Sequence, residues 1–114
     1  MLHTNTTKDK VLHLLTSDPK RFSLQQQEVA EVFCMSRRTL IQHLENEGTS
    51  YRSIVQEAKK EMAAHMLRTT DASIAQIAQA LGYTNASNFT RSFKLWYGVP
   101  PGQFLMQTVS TSHE

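Results

Sequence analysis

At 114 residues, 39% hydrophobic and 8% aromatic, the chain is the size of one average domain with a modest core. No apolar run approaches the roughly 18 residues of a membrane span, no signal peptide opens the chain, and a single cysteine, Cys34, excludes an internal disulfide, so a cytoplasmic protein is expected. The net charge of +2 is small, but Asp and Glu are absent from Val32 to Leu44 and from Ala72 to His113, the windows that hold Arg37, Arg38, Arg91 and Lys94, as a surface that meets phosphates requires.

Apolar residues recur three and four apart almost throughout, and strand-like alternation is absent, so about seven helices are predicted. The first runs from about Thr7 to Thr16 and buries Val11, Leu12 and Leu15. The second starts near Ser23, which forms a capping box with Gln26, and presents Val29, Ala30 and Phe33. The third is N-capped by Ser36 and ends before Gly48. The fourth is long, about Tyr51 to Thr69, with an apolar stripe of Tyr51, Ile54, Val55, Ala58, Met62 and Met66, and with His65 partly buried. The fifth opens with a second capping box, Ser73 and Gln76, and buries Ile74, Ile77, Ala78 and Leu81. The sixth spans about Asn85 to Tyr97 and ends at Gly98. The seventh begins at Pro101, a residue favoured at a helix's first position, and buries Phe104.

The chain repeats itself. Residues Val29 to Ser36 match Ile77 to Thr84 at a spacing of 48, Leu40 and Leu44 match Phe89 and Phe93 at 49, and Gly48 matches Gly98 at 50. A short helix, a tight turn, an N-cap and a second helix with core residues four apart form the helix-turn-helix pattern. The expected fold is all-α, two such units joined by a long linker helix. Its parts are a flexible N-terminus (1–6), a first subdomain (7–50), the linker (51–69), a second subdomain (70–108) and a flexible C-terminus (109–114). A rigid linker helix of about 25 Å is expected to set the two outer helices near one duplex turn apart, where successive major-groove faces lie ~34 Å from each other.

With Leu40 and Leu44 turned inward, Gln42 lies opposite them, flanked by Arg38, Thr39 and Asn46. With Phe89 and Phe93 turned inward and Trp96 and Tyr97 continuing their stripe, Arg91 lies opposite, flanked by Ser87, Asn88 and Lys94. Such side chains donate and accept at base edges and phosphates. Arg91 suits a bidentate contact to guanine, Asn88 or Gln42 one to adenine, and Lys94 and His43 a phosphate. Arg37 and Arg38 stand at the start of the third helix, where recognition helices touch DNA.

Ile74-Ala-Gln-Ile-Ala-Gln-Ala-Leu-Gly-Tyr83, Ser87-Asn-Phe-Thr-Arg-Ser-Phe-Lys94 and Tyr97-Gly-Val-Pro-Pro-Gly-Gln-Phe104 closely resemble the signature of AraC/XylS-type transcription regulators. Val29-Ala30, Met35-Ser36, Leu40 and Glu47-Gly-Thr-Ser-Tyr51 extend the likeness to most of the chain. The resemblance implies a bacterial, bipartite domain that binds double-stranded promoter DNA in neighbouring major-groove segments, associates with the nucleoid when bound, contacts RNA polymerase and most often activates transcription. Carried over by position, it adds Ile41, Ala86 and Thr90 to the contacts, of which Ile41 and Ala86 offer only apolar surface. The expected DNA-binding set is therefore Ser36, Arg37, Arg38, Thr39, Ile41, Gln42 and His43 on the first unit and Ala86, Ser87, Asn88, Thr90, Arg91 and Lys94 on the second. The chain departs from the family pattern at Gln42, where Arg is frequent, at Cys34, where Gly is frequent, at Leu105, where Arg is common, and in a slightly longer segment before Val29.

No catalytic group, metal site or cofactor is expected. The five histidines show no metal-ligand spacing, no nucleophile has a base partner, and Cys34 is expected in a buried turn among Val32, Phe33 and Met35. The alternative reading is an interaction module of the same fold that binds RNA polymerase or another regulator without specific DNA binding. The chain is expected to act as a monomer, as a standalone regulator or as part of a longer one with a sensor domain.

Overall fold

Six α-helices and one 3-10 turn follow one another in the computed structural model, which describes residues 6–104, and among those residues there is no strand. They are α1 (Thr7–Thr16), the turn (Pro19–Ser23), α2 (Gln26–Val32), α3 (Arg37–Asn46), α4 (Tyr51–Thr69), α5 (Ile74–Ala80) and α6 (Ala86–Tyr97). Residues 101–104 are helical to the end of the described segment, with Pro101 buried and Phe104 half-buried. Most of the two expected flexible ends, and Leu105, lie outside the described residues. Thr6, assigned to the first of those ends, is the N-cap of α1, its hydroxyl accepting the Asp9 N–H. Two compact units divide within α4, between Lys59 and Lys60.

The first unit packs Val11 and Leu15 of α1, Val29 and Ala30 of α2, Leu40 and Leu44 of α3, and Ile54 and Ala58 of α4 into one core, with Leu12 and Phe33 half-buried against it. α2 starts three residues later than the sequence suggests. Ser23 does not cap it, because it is the last residue of the 3-10 turn, where its hydroxyl donates to the Lys20 carbonyl. Gln25 is the N-cap instead, its N–H bound by the Glu28 carboxylate at 2.8 Å. Leu24, left extended between them, accepts the Tyr51 hydroxyl at 2.7 Å.

In the second unit Ala63, Ala64 and Leu67 of α4 are buried with Ile77, Ala78, Leu81, Phe89 and Phe93. The expected stripe through Met62 and Met66 is only half-buried, and His65 is exposed. The two halves of α4 serve different cores, so one continuous stripe along the helix is not required. Ile74 is half-buried behind the Ser73–Gln76 capping box, which forms as expected.

The turn between α2 and α3 is not buried, since Cys34 is exposed and Val32 is 54% exposed. Cys34 has φ +59° where its repeat partner Gly82 has φ +89°. Both ends are Schellman motifs: Met35 N–H reaches the Ala30 carbonyl and Cys34 N–H that of Glu31, as Tyr83 reaches Ala78 and Gly82 reaches Gln79. Left-handed backbone costs a residue with a Cβ about 1–2 kcal/mol, and a glycine there loses roughly 0.4–1 kcal/mol through unfolded-state entropy. Cys34→Gly is therefore expected to stabilise the chain by up to about 1 kcal/mol in urea unfolding, and the β-branched Cys34→Val to destabilise it by more than that.

A long-range cap holds α1. The Glu47 carboxylate, just past α3, accepts the N–H of Thr7 at 3.0 Å and of Lys8 at 2.8 Å, two donors that the helix itself leaves unpaired. Lys8 also pairs with Glu57 at 3.4 Å. Because the site is exposed, the charge contributes at most about 1 kcal/mol. Glu47→Gln is expected to cost that much or less and to speed hydrogen exchange at the Thr7 and Lys8 amides selectively.

Candidate nucleic-acid interface

Each unit offers one helix whose inner face is locked and whose outer face is free. In α3, Ser36 caps the first turn, its hydroxyl accepting the Thr39 N–H at 3.1 Å. Burial of Leu40 and Leu44 then leaves Arg37, Arg38, Thr39, Gln42 and His43 exposed and Ile41 half-buried. Ser36, Arg37, Arg38, Ile41 and Gln42 share an open cleft of about 540 Å³ with Gln27 of α2. Gln27 is outside the expected set: it belongs to the preceding helix, and only the packing of α2 on α3 brings it into one cleft with Arg37 and Arg38. Gln42 donates to Asn46 at 3.4 Å. His43 is turned toward α1, its Nδ1 3.2 Å from the Thr7 hydroxyl.

In α6 the N-cap is Asn85, whose Oδ1 accepts the Asn88 N–H at 2.9 Å. Phe89 and Phe93 are fully buried. Phe93 lies at ring-centroid distances of 5.8 Å from Phe89, 6.5 Å from Trp96, 4.7 Å from Tyr97 and 5.2 Å from Phe104. The Tyr97 hydroxyl donates to the Lys60 carbonyl at 3.0 Å, tying α6 to α4. Burial raises the pKa of that hydroxyl, the nearby Arg68 charge works against the rise, and Glu61 adds to it. This packing leaves Ser87, Arg91 and Lys94 exposed and Ala86, Asn88 and Thr90 half-buried. Arg91 Nη1 donates to Asn88 Oδ1 at 3.4 Å, and Asn88 Nδ2 donates to the Thr84 hydroxyl at 3.2 Å. Leu95, one turn past Arg91, is 83% exposed.

The outer faces of α3 and α6 thus carry guanidinium, ammonium, amide and hydroxyl groups. The only carboxylate on either helix is Glu45, near the end of α3. Hydrogen-bond donors and acceptors in this mix suit base edges and backbone phosphates. Among the described residues no group of His, Cys, Asp and Glu could hold a metal ion, and no helix is long and apolar enough to cross a membrane.

A family model described as a helix-turn-helix domain matches residues 29–107. The porin thermoregulatory protein EnvY of Escherichia coli K12 is 35% identical over 101 residues, which cover 89% of this chain and 40% of EnvY. The chain spans between 22% and 40% of the length of the first curated relatives it matches. A DNA-binding transcriptional dual regulator from Escherichia coli K-12 has the same fold, with a TM-score of 0.86 at 21% identity over 96% of this chain and 98% of its own. The DNA-binding domain of AdpA, a global transcriptional factor solved with a target DNA, matches with a TM-score of 0.70 at 16% identity over 94% of this chain and 96% of its own.

Proposed function

This chain belongs to the AraC-type helix-turn-helix family, and from that premise we propose that it binds double-stranded promoter DNA sequence-specifically, inserting α3 and α6 into neighbouring major-groove segments. The observation that carries the reading is the repeat of one device: a helix anchored by two fully buried side chains four residues apart, exposing Arg38 and Gln42 in one unit and Ser87 and Arg91 in the other. Arg91 is the base reader of the second unit and Gln42 of the first. Lys94, Arg37 and Gln27 meet the backbone. The regulator works as an activator, as the name of one relative, the urease operon transcriptional activator of Escherichia coli, says of that protein, and in this reading it also touches RNA polymerase.

Selection from random duplexes tests this reading directly. A bipartite motif is expected, bound by a single chain in gel filtration, with an affinity that falls as salt rises because phosphate contacts release counterions. Failure to enrich any motif at low salt would favour an interaction module that keeps the fold and binds RNA polymerase or another regulator.

A further inference from the structure

The two units begin their reading helices differently. Ser36 and Thr84 occupy the same place in the repeat, but the second unit carries one extra residue, Asn85, before its helix. In the first unit Ser36 does the capping, and its hydroxyl also bonds Thr39 Oγ1 at 2.9 Å. In the second, Asn85 takes over the capping and binds the Asn88 N–H. The Thr84 hydroxyl is thereby released, and it accepts from Asn88 Nδ2 at 3.2 Å. The other end of the same amide, Oδ1, accepts from Arg91 Nη1 at 3.4 Å. Three side chains, spaced four and then three residues apart, form a chain along one face of α6 and end on the guanidinium. The first unit breaks this pattern: its counterpart of Arg91, Gln42, donates to Asn46 instead.

We propose that Thr84 is a positioning residue for base discrimination by Arg91. The Thr84 hydroxyl anchors the Asn88 amide with its oxygen toward Arg91. The amide then holds the guanidinium fork in one orientation before DNA arrives. A bidentate contact needs both N–H groups aligned with the base edge, and a side chain ordered in advance loses less entropy on binding. The second unit therefore presents a guanidinium ordered through a two-bond chain, whereas Gln42 of the first is tied only to Asn46 and has no counterpart of Thr84 behind it. This inference rests on the reading of Arg91 as a base reader.

The test uses the intact chain and a duplex recovered from random-duplex selection, together with its single base-pair variants. Arg91→Ala first identifies the base pair whose discrimination depends on Arg91. Thr84→Val is expected to lower discrimination at that pair by about threefold to tenfold and to leave the other pairs and the melting temperature unchanged. Thr84→Ser, which keeps the hydroxyl, restores it, and Thr84→Val added to Arg91→Ala has no further effect. Undiminished discrimination in Thr84→Val, or an equal loss at every pair, would overturn the role of Thr84 while leaving that of Arg91 standing. If Arg91→Ala itself alters no pair, the reading of Arg91 fails and the inference about Thr84 falls with it.

Discussion

Arg91→Ala is expected to cost about 1–3 kcal/mol of discrimination at a single base pair, roughly a 5- to 150-fold loss of preference there, while other positions of the site keep theirs. The side chain projects from the exposed face of α6, opposite Phe89 and Phe93, and its guanidinium donates to Asn88 at 3.4 Å. Lys94 provides the contrast. It is exposed near the end of the same helix, and the contact proposed for it is a point charge on a phosphate, not on a base edge. Lys94→Ala is expected to weaken binding to all sequences alike and to lower the salt slope by about 1. Affinities measured across single base-pair variants at several salt concentrations separate the two. An Arg91 variant that weakens every sequence equally would reassign that residue to the backbone.

The largest effect on stability is expected at Phe93. Its side chain is fully buried, and four aromatic rings surround it, from Phe89 on its own helix to Phe104 beyond Gly98. Removing a buried phenyl ring forfeits its transfer energy and leaves a cavity, together about 3–5 kcal/mol, against a total stability of about 5–15 kcal/mol for a domain. Phe93→Ala should lower the melting temperature by more than about 10 °C. Trp96→Ala, at a half-buried ring on the rim of the same cluster, should cost distinctly less. A Phe93 variant within about 1 kcal/mol of the parent would contradict the packing described for α6.

Much of the fold was legible because the signals are local. Ser36 and Ser73 cap helices where the sequence says they should, and α4 has the expected limits. The spacing of four between Leu40 and Leu44, and between Phe89 and Phe93, turns one face of α3 and of α6 inward, as the structure has it. The errors have physical causes. Ser23 has the sequence signature of a cap, but the 3-10 turn that starts at Pro19 takes it in and leaves the cap to Gln25. Met62 and Met66 continued a stripe that a single core would have used, yet the helix serves two. Apolar neighbours suggest a buried Cys34, but it is exposed as the αL residue of a Schellman turn, a place set by backbone hydrogen bonds and not by the residues that flank it.

The sequence by itself determined the helices, the caps at Ser36 and Ser73, the repeat and the two outward polar faces, since each depends on residues within about four positions of one another and on the helical period. Tertiary structure alone decided that Glu47 caps a helix 40 residues earlier, that Gln27 joins Arg37 and Arg38 in one cleft, and which residues of α4 are buried. Those contacts join segments distant in sequence, and no local period encodes which side chain arrives there. The chain Thr84–Asn88–Arg91 lies between these cases. Its spacing was readable, but the freedom of Thr84 to take part became visible only once Asn85 was seen to hold the cap.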